Sequence, residues 1–160
     1  MAWLPYLSPD AYVTLLAAGD VMVDPYPFGG GVTTLEALAV CTPVVTAPAL
    51  QSVPALTAGM LRAVAHTVGD GLQHGGLAGL LVASDEAAFV AHTVALLTAA
   101  ADGPAGAQVE GSGRTLLGET RRALCRPGVG GGGAPVDVLY NATAAVREWE
   151  GLLYRLAVVA

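Results

Sequence analysis

Apolar residues fall into two kinds of run along the first two thirds of the chain, and the two alternate. Ser8, Pro9 and Asp10 form a helix start, with Ser8 as cap and Pro9 at the first helical position, and Tyr12, Leu15 and Leu16 then supply an apolar face until Gly19 ends the helix. Val21, Met22 and Val23 are a short unbroken apolar run stopped by Asp24 and Pro25, the pattern of a strand buried on both faces of a parallel sheet. Residues 33–40, TTLEALAV, favour helix, and Thr33 followed three positions later by Glu36 has the spacing of a capping box. Residues 43–46, PVVT, predict a second buried strand, and 56–65 a helix. Residues 80–83 predict a third strand, and Ser84 with Asp85 and Glu86 opens a helix that runs toward Ala101. Such alternation implies a doubly wound α/β layer with a parallel sheet.

Beyond residue 102 the pattern changes. ADGPAGAQVEGSG and GVGGGGAP are small-residue segments expected to be loops, separated by an arginine-bearing helix candidate. Pro135 and Asp137 open a final amphipathic helix on which Leu139, Val146, Trp149, Leu152, Leu153 and Leu156 can pack inward. The expected organisation is an α/β domain over 1–102 that contains the core, a flexible Gly-rich loop with a short helix over 103–134, and a helix over 135–160 that docks back. Three strands are fewer than the ~5–6 of an average sheet, so the layer reads as an incomplete piece of a larger fold.

Composition narrows the function. With 160 residues, 54% of them hydrophobic and 12% charged, the chain can form one core-bearing domain. A net charge of -6 gives no footprint for nucleic acid, which needs clustered cations to displace phosphate counterions. All seven basic residues are arginine, so a P-loop lysine and a Schiff-base lysine are excluded. Cys41 and Cys125 show neither CxxC nor Cys/His spacing, so neither a disulfide framework nor a zinc site is expected, and a reducing compartment fits. The first residues, MAWLPYLSPDAY, lack a positive n-region, which argues against a signal peptide. The longest apolar stretch, 87–101, is broken by His92 and is shorter than the ~20 residues of a membrane span.

The stretch that carries chemistry is 20–46: a strand, the glycine-rich turn PYPFGGG, a helix N-terminus, then another strand. Amides in the first turn of a helix have no intrahelical partner and lie at the positive end of its dipole, so a diphosphate is stabilised there without lysine. Gly29, Gly30 and Gly31 let that backbone approach closely. Thr33 and Thr34 can add hydroxyl donors, and Glu36, one turn further in, can accept from ribose hydroxyls. The same spacing also suits a bare turn in which Thr33 and Glu36 only cap the helix.

At this stretch the chain resembles the O-linked N-acetylglucosamine transferase family, with its plant SPINDLY-type and bacterial members, whose signature reads approximately A-D-x-x-L-D-x-x-P-x-G-G-G-T-T-x-x-E-A-L-x-x-G-x-P-V-V-T. Asp20, Asp24, Pro27, the glycines 29–31, Thr33, Glu36, Ala37, Leu38, Pro43, Val44, Val45 and Thr46 stand where it asks for them. YLSPDAYVTLL and LLVASDEAAFVAHTVALL are similar to flanking elements of the family, so the resemblance covers nearly the whole chain. Val32 replaces a polar residue, and Cys41 stands where a helix-ending glycine is usual. The resemblance implies a Rossmann-like parallel sheet, the C-terminal half of a GT-B glycosyltransferase fold, binding UDP-N-acetylglucosamine through Gly30, Gly31, Val32, Thr33, Thr34 and Glu36. It implies transfer of N-acetylglucosamine to Ser or Thr hydroxyls of a protein acceptor, with no metal and no further cofactor, in the cytoplasm or nucleus. The N-terminal Rossmann half and the helical repeats that hold protein substrates are not in this sequence, so the chain alone is expected to be inactive. The alternatives are a non-catalytic UDP-binding or interaction module and a truncated product that binds nothing.

Weaker signals point to no chemistry. His66, His74 and His92 lack ligand spacing. Gly128, Gly130 and Gly133 match G-x-G-x-x-G but follow a helix candidate instead of a strand. Asn141-Ala142-Thr143 is a glycosylation triplet that falls in an expected helix. Trp149 and Tyr154 suit core or interface anchors.

Overall fold

The computed structural model describes residues 3–25, 28–47, 54–68, 76–101, 116–125 and 134–159. Its helices are α1 (Pro9–Ala18), α2 (Val32–Ala39), α3 (Pro54–Val68), α4 (Gly76–Leu81), α5 (Glu86–Ala101), α6 (Leu116–Cys125) and α7 (Ala142–Val159), with a 3-10 helix over Pro135–Tyr140. Its strands are β1 (Met22–Val23) and β2 (Val44–Val45), paired in parallel with Met22 opposite Val44 and Val23 opposite Val45. The architecture is mostly helical around a small parallel sheet, an α/β arrangement.

Local chemistry explains the boundaries of the first elements. Ser8 Oγ accepts from the Ala11 amide at 3.4 Å, Pro9 occupies the first turn, and the Gly19 amide closes α1 on the carbonyls of Leu15 and Leu16. Helix α2 ends in a Schellman arrangement: the Thr42 amide donates to Ala37 O at 2.9 Å and the Cys41 amide to Leu38 O at 3.0 Å. Cys41 therefore takes the left-handed position with φ 62°, the place at which glycine is usual because it has no Cβ. The chain turns there into β2. Asp85, one residue after the expected cap Ser84, caps α5 by accepting from the Ala88 amide at 2.7 Å, and Ser84 donates to its other oxygen at 3.0 Å.

Strand β2 is central. Val44 and Val45 are fully buried, and beyond them Thr46 bridges in parallel to Val82, with the Thr46 amide on Leu81 O at 2.9 Å and the Ala83 amide on Thr46 O at 3.0 Å. Among the described residues strand β1 lies at the edge of the sheet, and Val23 is 45% exposed, which corrects the expectation that it is covered on both faces. The expected third strand over 80–83 is corrected too. Leu77, Leu80 and Leu81 sit at helical spacing on one buried face of α4, and only Val82 keeps the strand-like bridge. A short apolar run satisfies either period, and burial against α3 settled it as helix.

The core joins Leu38 of α2, Val44 and Val45, Leu61 and Val64 of α3, Leu77 and Leu81 of α4, Leu96 of α5 and Leu124 of α6. Leu117 and Leu124 are buried, so the core extends past residue 102. Two distant segments come together in a Cys41–Cys125 disulfide with Cα atoms 5.8 Å apart across a separation of 84 residues. This corrects the expectation of unpaired cysteines and removes the argument from them for a reducing compartment. Spacing gave no sign of the pair because a disulfide is set by the fold and not by sequence proximity.

The C-terminal segment is also divided differently from expectation. Residues 135–140 form the 3-10 helix, and Asn141 then restarts the chain as α7 by accepting from the Ala144 amide at 3.0 Å. The glycosylation triplet thus begins at a helix cap. Leu139 packs on the core, whereas Val146 and Tyr154 are exposed. The side chains of Trp149, Leu152, Leu153 and Leu156 lie outside those described, as do the Gly-rich loops of 103–115 and 126–133 and the whole of His74. Among the described residues no helix is long and apolar enough to cross a membrane.

Because Leu38 is fully buried where α2 meets the sheet, Leu38→Ala is expected to lower stability by about 2–5 kcal/mol in urea denaturation, through lost burial and the cavity left behind.

Candidate functional site

The carboxyl ends of β1 and β2 lead to the glycine turn, where open parallel sheets place their ligands. The turn is organised from beneath by Asp24, which is 2% exposed. Its Oδ1 accepts from the Gly30 amide at 2.6 Å and its Oδ2 from Thr46 Oγ1 at 2.8 Å. A buried carboxylate needs such donors, since a desolvated charge without them costs several kcal/mol.

A second set of bonds holds the turn from the side of α3. Thr57 Oγ1 donates to Gly30 O at 2.9 Å. Its proton is used there, so Thr34 is the donor in the 3.1 Å contact between the Thr34 and Thr57 hydroxyls. Gly30 is thereby fixed through both amide and carbonyl. A Cβ at residue 30 would lie 2.7 Å from both Thr33 Oγ1 and Thr34 Oγ1 and 3.3 Å from Asp24 Oδ1, so only glycine fits without displacing the loop. Gly31 has more room, its nearest neighbour being Leu56 Cδ2 at 3.4 Å.

The resulting opening is the N-terminus of α2. Gly31 is the cap residue, and among the described residues no side chain caps the helix. Val32 is 70% exposed and Thr33 is exposed. Phe28 and Leu56 are also exposed, and Leu56 lies nearest to Gly31.

The expected site residues separate into two groups. Gly30, Gly31, Val32 and Thr33 lie together at the opening. Thr34 does not present an outward hydroxyl, which corrects the expectation that it meets a phosphate: it is fully buried and spent on Thr57. The expected capping box is corrected as well. The helix begins at Val32, so Thr33 is its second residue and cannot cap it, and Glu36 lies more than a turn inside. Glu36 is half-buried, and its charge is felt by Tyr12 of α1 and Tyr140 of the 3-10 helix. Burial first, and Glu36 second, push both phenols above their ordinary value. Tyr140 Oη also donates to Leu35 O at 2.6 Å, which ties the late segment to the middle of α2.

Sequence reasoning missed Thr57, Tyr12 and Tyr140 as neighbours of this site, and it used Asp24 as a strand stop and a position of the family signature without giving it a role in holding the turn. For Asp24 a signal existed: an acid directly after an apolar strand and before a glycine turn is placed to collect loop amides. Thr57 carried none, lying in a helix with no motif. Among the described residues no group of His, Cys, Asp or Glu could hold a metal. Among the described residues His92 Nδ1 and Arg121 Nε are buried without hydrogen-bond partners. They lie on α5 and α6, away from the turn in sequence, and add no ligand set to it. No protein-family model, curated protein or solved structure matches this chain.

Two outcomes follow from this geometry. Gly30→Ala is expected to cost about 1–3 kcal/mol of unfolding free energy, the penalty of forcing extra volume into a packed site. Glu36→Gln is expected to lower the titration midpoints of Tyr12 and Tyr140 in an ultraviolet phenolate titration, because it removes a negative charge that opposes their ionisation.

Proposed function

We propose that this chain is the donor-binding half of a glycosyltransferase, Rossmann-like and of the GT-B kind, that holds a UDP-sugar with its pyrophosphate at the N-terminus of α2. One observation supports the reading most: the first turn of α2 is uncapped by any side chain, and it follows a glycine held rigid by Asp24 at the carboxyl edge of a parallel sheet. Amides preorganised in this way stabilise a phosphate without reorganisation cost and do so more strongly as charge builds on a departing UDP.

The donor proposed is UDP-N-acetylglucosamine, from the resemblance carried by residues 20–46. Gly30, Gly31, Val32 and Thr33 take the pyrophosphate, the backbone at Val32 supplying an amide where its side chain supplies none. Glu36 accepts from the ribose hydroxyls. Transfer to a Ser or Thr hydroxyl of a protein acceptor then requires a second half that closes over the sugar and supplies proton transfer. The compartment proposed is the cytoplasm or nucleus.

A second reading, a UDP-binding module without transfer, is favoured by one feature. The buried acid nearest the loop, Asp24, accepts from two donors already, so it holds the backbone and is not placed as a base.

UDP is expected to raise the melting temperature, and Glu36→Ala to weaken UDP binding by the ~0.5–1.5 kcal/mol of one hydrogen bond. Isothermal titration with UDP and with UDP-N-acetylglucosamine measures both. A melting curve unchanged at millimolar UDP overturns nucleotide binding, and UDP binding without sugar transfer in the presence of a complementing half selects the second reading.

A further inference from the structure

The elements of the sheet begin at two turns that lie at the end opposite the candidate site. The first joins α1 to β1 at Gly19, and the second joins α2 to β2 at Cys41. Both are held by α6. The Arg121 guanidinium donates to Gly19 O, and one turn later Cys125 is bonded to Cys41. The α1–α2 side of this junction is closed separately by Thr42 Oγ1, which donates to Leu16 O at 2.7 Å.

Cys41 is an unusual residue for its position. It is the only non-glycine residue with positive φ among those described, and it sits at the Schellman position of α2, where a Cβ costs on the order of 1 kcal/mol. The backbone requirement there is for glycine, so the cysteine is explained by its bond to Cys125 and not by its turn. Both cysteines are half-buried, so neither residue is sealed inside the core. The remaining hold on α6 is independent of the bond: Leu117, Thr120 and Leu124 are buried.

We propose that Cys41–Cys125 is a redox-controlled clamp at the base of the sheet, opened by a dithiol reductant while the domain stays folded. In the exchange a thiolate of the reductant attacks one sulfur, the Cys41–Cys125 bond breaks, and a mixed disulfide forms. The second thiol of the reductant then displaces the protein sulfur. Two electrons and two protons pass to the cysteines, which become thiols, and the reductant leaves as its cyclic disulfide. In the oxidised protein α6 fixes both turns. In the reduced protein α6 stays docked through its leucines and Arg121 keeps its bond to Gly19 O, so the turn at Cys41 alone loosens. Closing a loop of this length restricts the unfolded chain, so opening it lowers stability without removing a core contact. This inference does not depend on nucleotide binding.

The test compares oxidised and dithiothreitol-reduced protein by thiol counting, circular dichroism, thermal melting and hydrogen exchange. The expected result is two additional free thiols on reduction, unchanged far-ultraviolet signal at 25 °C, and a melting temperature lower by about 10 °C. Faster exchange should be confined to the turn at Cys41 and the end of α6 at Cys125, and both thiols should disappear again on reoxidation. Two variants separate the clamp from the strain of the turn. Cys125→Ser opens the clamp and keeps the left-handed Cβ, whereas Cys41→Gly opens it and removes that Cβ. Cys41→Gly should therefore melt about 2–4 °C above Cys125→Ser. Identical melting of the two redox forms, two free thiols in air-oxidised protein, or loss of the folded signal on reduction overturns the proposal.

Discussion

The carboxylate of Asp24 is the interaction on which the site depends. It is buried, and a buried charge persists only where donors surround it. One oxygen takes the amide of Gly30 and the other takes the hydroxyl of Thr46. The acid thus connects the end of β1, the loop that follows and the end of β2. That constraint fixes where the loop stands, and with it where α2 begins. Thr57 repeats the constraint from α3 through the carbonyl of the same glycine. With both its polar groups and its Cα environment committed, Gly30 has little freedom, and the adjoining first turn of α2 is presented in one orientation.

The bonds that build this arrangement also decide what is left to meet a ligand. Thr34 and Asp24 are polar residues beside the opening, but both face inward. What remains exposed is Thr33 and the apolar surfaces of Phe28, Val32 and Leu56. In the nucleotide-binding reading proposed above, such a surface meets an anion through dipoles and shape. Among the described residues no group of His, Cys, Asp or Glu could hold a metal there.

The sequence was most informative where local chemistry decides the outcome. Ser8, Pro9 and Gly19 bounded α1 because caps act within one turn of chain. The apolar runs at 21–23 and 43–46 marked β1 and β2, and their parallel pairing followed from the intervening helix. Interpretation failed where a residue's role is set by something remote. Thr34 has the composition of a phosphate donor, and only the position of Thr57, in another helix, turns it inward. Residues 80–83 satisfy both periods, and packing on α3 chose helix. Val23 belongs to a run that suits full burial, and the number of strands beside it left it at an edge. Cys41 and Cys125 lack any local relation at all.

Late parts of the chain complete early ones. Tyr140 reaches back 105 residues to the carbonyl of Leu35, and Arg121 reaches back 102 residues to that of Gly19. During synthesis at ~5–20 residues per second, α2 and its glycine turn emerge roughly 5–20 s before Tyr140 does. Over that interval the nascent segment carries its apolar residues without their eventual cover. Vectorial folding therefore has to hold β1, α2 and β2 in a non-aggregating state until α6 and the 3-10 helix have emerged to cover them.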